Sequence, residues 1–300
     1  MTDGELNGWF AELTSPDAGR RALAAAYLGH HPHPRALPAL LDALADADHD
    51  VAVEAVAALS RQGEEARVPL REHLEDAQPQ VRGMAAYALA MRGDAACLPS
   101  LVRLAADGAR DAIRAGGRAR PNVAQVMTLD WAQRTGDVGM LRDALGDSEA
   151  HVRAFAAWAL GVRGGSDEAK ELARVAATDP ESAVRVAAAT ALGAVGAAEG
   201  ATLELLGEAF HSPTPWDEGL IVALVRALGV AGGAGAVDAL RSLEAGLADP
   251  LGGNERLRHR DAILKAVRRT QREIRLRLTE TATVKGKETG RETEGTEHEQ

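Results

Sequence analysis

The chain has 300 residues, of which 46% are apolar but only 3% aromatic, and its formal net charge is −10. An apolar set dominated by alanine suits closely packed helices and argues against a β-sandwich, which draws on Val, Ile, Thr and aromatic side chains. The acidic balance disfavours nucleic acid as a partner, because phosphate contacts need a basic field.

In chain order, amphipathic segments predict helix pairs over residues 4–29, 34–62, 66–92, 95–134, 137–163, 167–195, 199–230 and 235–277, about eight in all. Four of the second helices carry the same nine-residue segment without gaps: 51–59 (VAVEAVAAL), 81–89 (VRGMAAYAL), 152–160 (VRAFAAWAL) and 184–192 (VRVAAATAL). Fainter copies lie at 20–29 and 220–229. In each of the four, the valine and the residues four, seven and eight later share one helical face, and they read Val, Ala, Ala, Leu. The alanines let a neighbouring helix approach closely. A turn containing Asp46, Asp76, Asp147 or Asp179 precedes each copy as a start signal. Gly93, Gly161 with Gly164, and Gly193 with Gly196 follow three of them and read as stop signals. One such pair cannot bury its apolar face alone, so pairs must stack.

This repeat resembles the short HEAT-like repeats of bacterial and archaeal proteins, including the group named after phycobilin lyases, over roughly residues 4–275. The resemblance implies an all-α superhelix, a HEAT-repeat solenoid of helix pairs, spanning 1–280. Functionally it implies binding or scaffolding, and occasionally catalysis. The second helices of such pairs usually line the concave side.

Several residues invite a functional reading. Arg82, Arg153 and Arg185 follow the motif valine, and Arg21 holds the matching place in the first pair. They suit either an anion-binding ladder or ion pairs to turn aspartates of their own or the next repeat. The positions three, six and ten after the motif valine point away from the core centre. In two copies they are large: Met84, Tyr87 and Met91, then Phe155, Trp158 and Val162. With Trp131 from the intervening pair, they predict an aromatic strip that docks a helix or peptide of a partner protein. The pair at 95–134 is irregular. Its segment 107–121 reads as a non-repeating loop, loosened by Gly116–Gly117, with Arg114, Arg118 and Arg120 able to hold a carboxylate or phosphate.

Catalytic alternatives have less behind them. His30, His31 and His33 cluster, but with few nearby carboxylates, so no metal or other cofactor is expected. The order Glu72–His73 reverses the His-Glu pairs of HEAT-repeat iron hydroxylases. Asp130–Trp131, Trp158 and Trp216–Asp217 supply the residue types of an alkylpurine DNA glycosylase without its basic field. A bilin lyase is implied by the resemblance alone. The leading expectation is therefore a non-enzymatic scaffold or adaptor, with a HEAT-like enzyme as the alternative.

Residues 254–280 carry nine Lys/Arg against four Asp/Glu, in contrast to the acidic remainder. The segment 254–279 reads as a basic capping helix, through which self-association with the acidic surface of another copy is possible. Residues 281–300 hold almost no apolar side chain and read as a disordered acidic tail. No run of about 18 apolar residues appears, so no membrane span is expected. The opening MTDGELNGWF has no secretory pattern, and the single Cys97 forms no internal disulfide, which together suggest the cytoplasm.

Overall fold

The structure, a computed structural model, describes residues 3–31, 33–114, 122–163, 165–195, 199–211, 217–248 and 260–294. The described residues are helical throughout, joined by turns, and the chain divides into two compact units, Met1–Met140 and Leu141–Gln300.

In the first unit, α1 (Asp3–Glu12) pairs with α2 (Ala18–His30), and α3 (Ala36–Asp42) precedes α4 (His49–Arg61). Next come α5 (Arg67–Glu72) with α6 (Pro79–Met91), and α7 (Leu98–Arg114) with α8 (Val123–Thr135). Short 3-10 turns extend α3 and α5 at their C-terminal ends. Helix α9 (Gly139–Ala144) crosses the division. The second unit continues with α10 (Ala150–Arg163), then the pairs α11 (Ser166–Thr178) and α12 (Ser182–Ala194), and α13 (Glu199–His211) and α14 (Glu218–Ala231). It ends with α15 (Ala234–Ala248) and α16 (Arg260–Glu294). Second helices stack on second helices: α2 on α4 on α6 in the first unit, and α10 on α12 on α14 on α16 in the second. First helices α11, α13 and α15 form the other layer of the second unit.

The motif face is the core. Val51, Val81, Val152 and Val184, the alanines four and seven residues later, and Leu59, Leu89, Leu160 and Leu192 are all buried. Each preceding turn is closed by its aspartate, which accepts the N–H two residues on. Asp48 donates to Asp46 at 2.9 Å, Gln78 to Asp76 at 2.8 Å, Glu149 to Asp147 at 2.8 Å and Glu181 to Asp179 at 2.9 Å. This side-chain turn holds the backbone extended ahead of the helix start.

Two of the glycines play a different part from the one their position suggests. Gly93 does take a left-handed conformation, φ +72°, just past α6. Gly161 and Gly193, however, lie inside α10 and α12. A Cβ on Gly161 would come within 2.5 Å of Ala191 Cβ, and one on Gly193 within 2.8 Å of Ala227 Cα. Gly29 meets Ala58 in the same way, at 2.6 Å. These are contact points between successive second helices, where a missing side chain lets two backbones touch.

Two further expectations need revision. The segment 107–121 is not a loop throughout: α7 runs on through Arg114, with Arg110 paired to Asp107 at 3.0 Å one turn away. Gly108 admits Asn122, whose Nδ2 donates to the Leu104 carbonyl at 3.2 Å while its Oδ1 caps α8 through the Gln125 N–H at 2.8 Å. At the C-terminus, helix α16 continues to Glu294, past the position where composition predicts that order ends. Once a helix is nucleated, each added residue gains a hydrogen bond without a new nucleus, so poor helix formers can follow good ones. Residues 254–259 and 295–300 lie outside the described residues.

Candidate functional site: the second-helix face

The arginine ladder decides whether this face offers free cations. Arg153 sends Nε and Nη2 to Asp179 of the next turn, at 2.8 and 3.0 Å, and Nη1 to the Asp147 and Ser148 carbonyls of its own turn. Arg21 does the same with Asp46, at 2.7 and 2.8 Å, and the Ser15 carbonyl. Arg185 donates to Asp217 at 2.6 Å and to the Asp179 carbonyl at 2.8 Å. Arg82 keeps only the own-turn half of the pattern, donating to the Asp76 and Ala77 carbonyls. At the corresponding place in α4 stands Ala52, so the ladder is interrupted there too.

The electrostatics follow the geometry. The Arg21 hydrogen bond holds Asp46 below the usual carboxylate value. For Asp179 and Asp217 burial acts upward, but hydrogen bonds from Arg153 to the one and from Ser182, Leu220 N–H and Arg185 to the other outweigh it, so both are lowered. The three complete rungs are structural ties between consecutive repeats.

The expected aromatic strip is divided between core and surface. Met84 and Phe155, three residues after the motif valine, are buried, and so is Trp131. These three are packing residues. Helix α6 packs on α4, α5 and α7, and α10 on α12 and α11, which leaves part of each to solvent. The positions six and ten after the motif valine occupy that exposed stripe. On α6 they are Tyr87, half-buried with its hydroxyl pushed up by burial, and Met91, 56% exposed. On α10 they are Trp158, 42% exposed, and Val162, 54% exposed. Phe155 lies beneath, its ring centroid 5.7 Å from that of Trp158 and tilted by 39°, an arrangement that favours one orientation of the indole.

Within the second unit the stripe continues across α12 and α14. Thr190 and Ala194, then Arg226 and Val230, hold the same repeat positions and are exposed. Thr190 turns its hydroxyl back to the Val186 carbonyl at 2.8 Å, so its methyl group is what it offers outward. Trp158, Val162, Ala194 and Val230 thus form an apolar row on three packed helices, with Arg226 beside it. The signal in α14 was missed because its copy of the motif is faint, though its register was legible.

Arg118 and Arg120 lie outside the described residues, as does the side chain of Arg114, the last residue of α7; Trp216 is also outside. His31 stacks on Tyr27 at 4.0 Å, Tyr27 stacks on Trp9 at 4.3 Å, and His33 Nδ1 accepts the Arg35 N–H at 3.1 Å. These histidines belong to the packing of the first helix pair. Asp130 pairs with Arg134 at 2.7 Å, and Asp217 caps α14 besides holding Arg185. Cys97 is buried, its thiol pushed up to about 12 chiefly by burial.

Paired helices stacked in two layers, tied by a repeating Arg–Asp link, define an α-solenoid. The sequence profile described as HEAT repeats matches residues 6–70, 46–119 and 138–224, and the chain belongs to that family. Comparison with curated proteins finds no match. Among solved structures, the chain is similar to the CpcE–CpcF complex of phycocyanin lyase from Nostoc sp. PCC7120, with 20% identity over 87% of this chain and 94% of that one, TM-score 0.35. It is also similar to human deoxyhypusine hydroxylase in complex with glycerol, with 22% identity over 89% and 96%, TM-score 0.34. A designed armadillo repeat protein shows 20% identity over 87% and 99%, TM-score 0.23. Likeness at this level adds nothing about activity. Among the described residues, no helix is long and apolar enough to cross a membrane.

Proposed function

We propose that this chain is a protein-interaction scaffold or adaptor that docks a partner protein or peptide on its second-helix face and has no catalytic activity of its own. The observation that carries the reading is the exposed apolar row Trp158, Val162, Ala194 and Val230. A tryptophan supported from below by Phe155 and rimmed by smaller apolar groups is a suitable anchor for an apolar helix or extended segment. The acids beside the tryptophans in sequence, Asp130 and Asp217, are engaged in ion pairs and capping, which favours binding over acid–base chemistry. We place the protein in the cytoplasm on its cysteine usage, a single buried thiol.

The test is site-specific photo-crosslinking in native lysate. A photoreactive residue at position 162 should trap a discrete polypeptide, whereas one at the exposed Arg174 on α11 should not. Trp158→Ala should abolish the product with an unchanged circular dichroism spectrum. Equal trapping at both positions, or trapping indifferent to Trp158→Ala, would overturn the proposal.

A further inference from the structure

The apolar row on α10, α12 and α14 carries a charge pattern of its own in a chain of net charge −10. Past their first four residues, these three helices contain no acid and two cations, Arg163 and Arg226. Neither arginine has a hydrogen bond or ion pair among the described residues. Arg163 stands eleven residues after the motif valine, the place that Arg92 holds in α6. Arg92 gives its guanidinium to the carbonyls of Leu59, Ser60, Gln62 and Gly63. Arg277 does the same for Gly229, Val230 and Gly232. Arg163, part-buried next to Val162, makes no such bonds. Arg226 is exposed on α14 one turn before Val230.

The acids around the row are placed elsewhere. Glu168, after α10, takes Arg142 at 2.7 Å, and Asp167 stands with it in the first turn of α11, where the helix dipole favours negative charge. Glu199, after α12, takes the Ala236 N–H at 3.1 Å. Glu218 opens α14, at the opposite end of that helix from Val230. Glu273, whose Oε2 lies 3.6 Å from where a Cβ on Gly229 would stand, is held by Arg269 at 2.8 Å. Packed helices lie about 8–10 Å apart, so the two steps from α10 to α14 put Arg163 and Arg226 roughly 16–20 Å apart across the row. About five or six residues of extended chain, at roughly 3.3 Å each, span that distance.

We infer that the row takes an acidic amphipathic segment of a partner protein, with apolar side chains against Trp158, Val162 and Val230 and a carboxylate for each of Arg163 and Arg226. This rests on the reading of the row as a docking surface and adds the chemistry of what docks there. Carboxylates complement guanidinium forks that have no acid of their own. A cationic rim on an otherwise acidic molecule selects acidic segments and turns away basic ones.

Selection from a displayed library of random short peptides tests this, with the full chain as bait and subtraction on Trp158→Ala. Enriched peptides should carry Asp or Glu on both sides of large apolar residues, the acids about five or six positions apart. In anisotropy titrations of the leading synthetic peptide, Trp158→Ala should abolish binding. Arg163→Gln/Arg226→Gln should weaken it about threefold to tenfold, the size expected of two solvent-accessible ion pairs. Added salt should weaken the wild type more than the double variant. Arg163→Gln should leave the melting temperature of the free protein level, whereas Arg92→Gln should lower it, because the carbonyls at the end of α4 lose their donor. Three results would each overturn the inference while leaving the docking surface in place: Trp158-dependent peptides that are neutral or basic, acidic peptides indifferent to the double variant, or equal losses of melting temperature in the Arg163 and Arg92 variants. Enrichment of no Trp158-dependent peptide would remove both.

Discussion

A single residue shows how the repeats are tied. The Arg153 guanidinium spans two turns, and both it and Asp179 are nearly enclosed, with side-chain exposures of 11% and 7%. Truncation would leave Asp179 in a low-dielectric setting without its fork, and would also free the Asp147 and Ser148 carbonyls. Arg153→Ala should therefore lower stability by about 2–3 kcal/mol. Arg174 is the contrast: its pair with Glu171 is exposed on both sides, at 61% and 37%. Arg174→Ala should change stability by less than about 0.5 kcal/mol. Chemical denaturation of both variants beside wild type checks the pair, and equal losses would show that enclosure does not matter. The aspartate turns and the arginine after the motif valine were legible in sequence because both recur at a fixed place. Which acid each arginine takes was not, since the partner lies 25 to 32 positions away.

At the scale of elements, the spacing between second helices is set by glycine–alanine contacts. Gly161→Ala would bring a Cβ to 2.5 Å from Ala191 Cβ and 2.7 Å from its Cα, and backbone cannot yield as a flexible side chain can. The gain in helix propensity from Gly to Ala is roughly 1 kcal/mol, and overpacking costs about 1–3 kcal/mol, so Gly161→Ala should destabilise. Gly207, inside α13, has nothing within 4 Å of where its Cβ would stand. Gly207→Ala should stabilise by about 0.5–1 kcal/mol. Thermal melts of the two variants should shift in opposite directions; shifts of the same sign would refute the distinction. Sequence alone made Gly161 and Gly193 look like helix ends. Only the facing alanine on the next helix shows that they are contacts. Arg92 and Arg277 gave no sequence signal at all. Arg92 donates to the carbonyls of Leu59, Ser60, Gln62 and Gly63, closing α4. Arg277 does the same for Gly229, Val230 and Gly232 at the end of α14. A cation at a helix C-terminus meets orphan carbonyls and the negative end of the dipole.

Across the whole molecule, the same acids make stability depend on pH in one direction. Asp46 in the first unit, and Asp179 and Asp217 in the second, are all lowered from their ordinary value. A carboxylate lowered in the folded state binds its proton more readily once unfolded. Its contribution is therefore complete above the ordinary aspartate value near 4 and is lost as pH falls through the folded value. Melting temperature should hold between about pH 5 and 7 and drop steeply below about pH 4. Asp179→Asn should melt lower at pH 7 and show a shallower acid drop, whereas parallel curves would exclude that residue. Because each repeat touches mainly its neighbours, such losses act link by link along each unit.

The sequence by itself determined what depends on local periodicity. Helical phase, the buried Val–Ala–Ala–Leu face and the aspartate turns follow from residues a few positions apart, and each is repeated often enough to be unmistakable. The tertiary structure decided everything that depends on what lies across from a residue. It buried Met84, Phe155 and Trp131 and left Met91 and Trp158 at the surface, because neighbouring helices cover only part of each second helix. It turned Gly161 and Gly193 into contacts and carried α7 through half of an expected loop. A residue's exposure is a property of its neighbours, and those neighbours are distant in the chain.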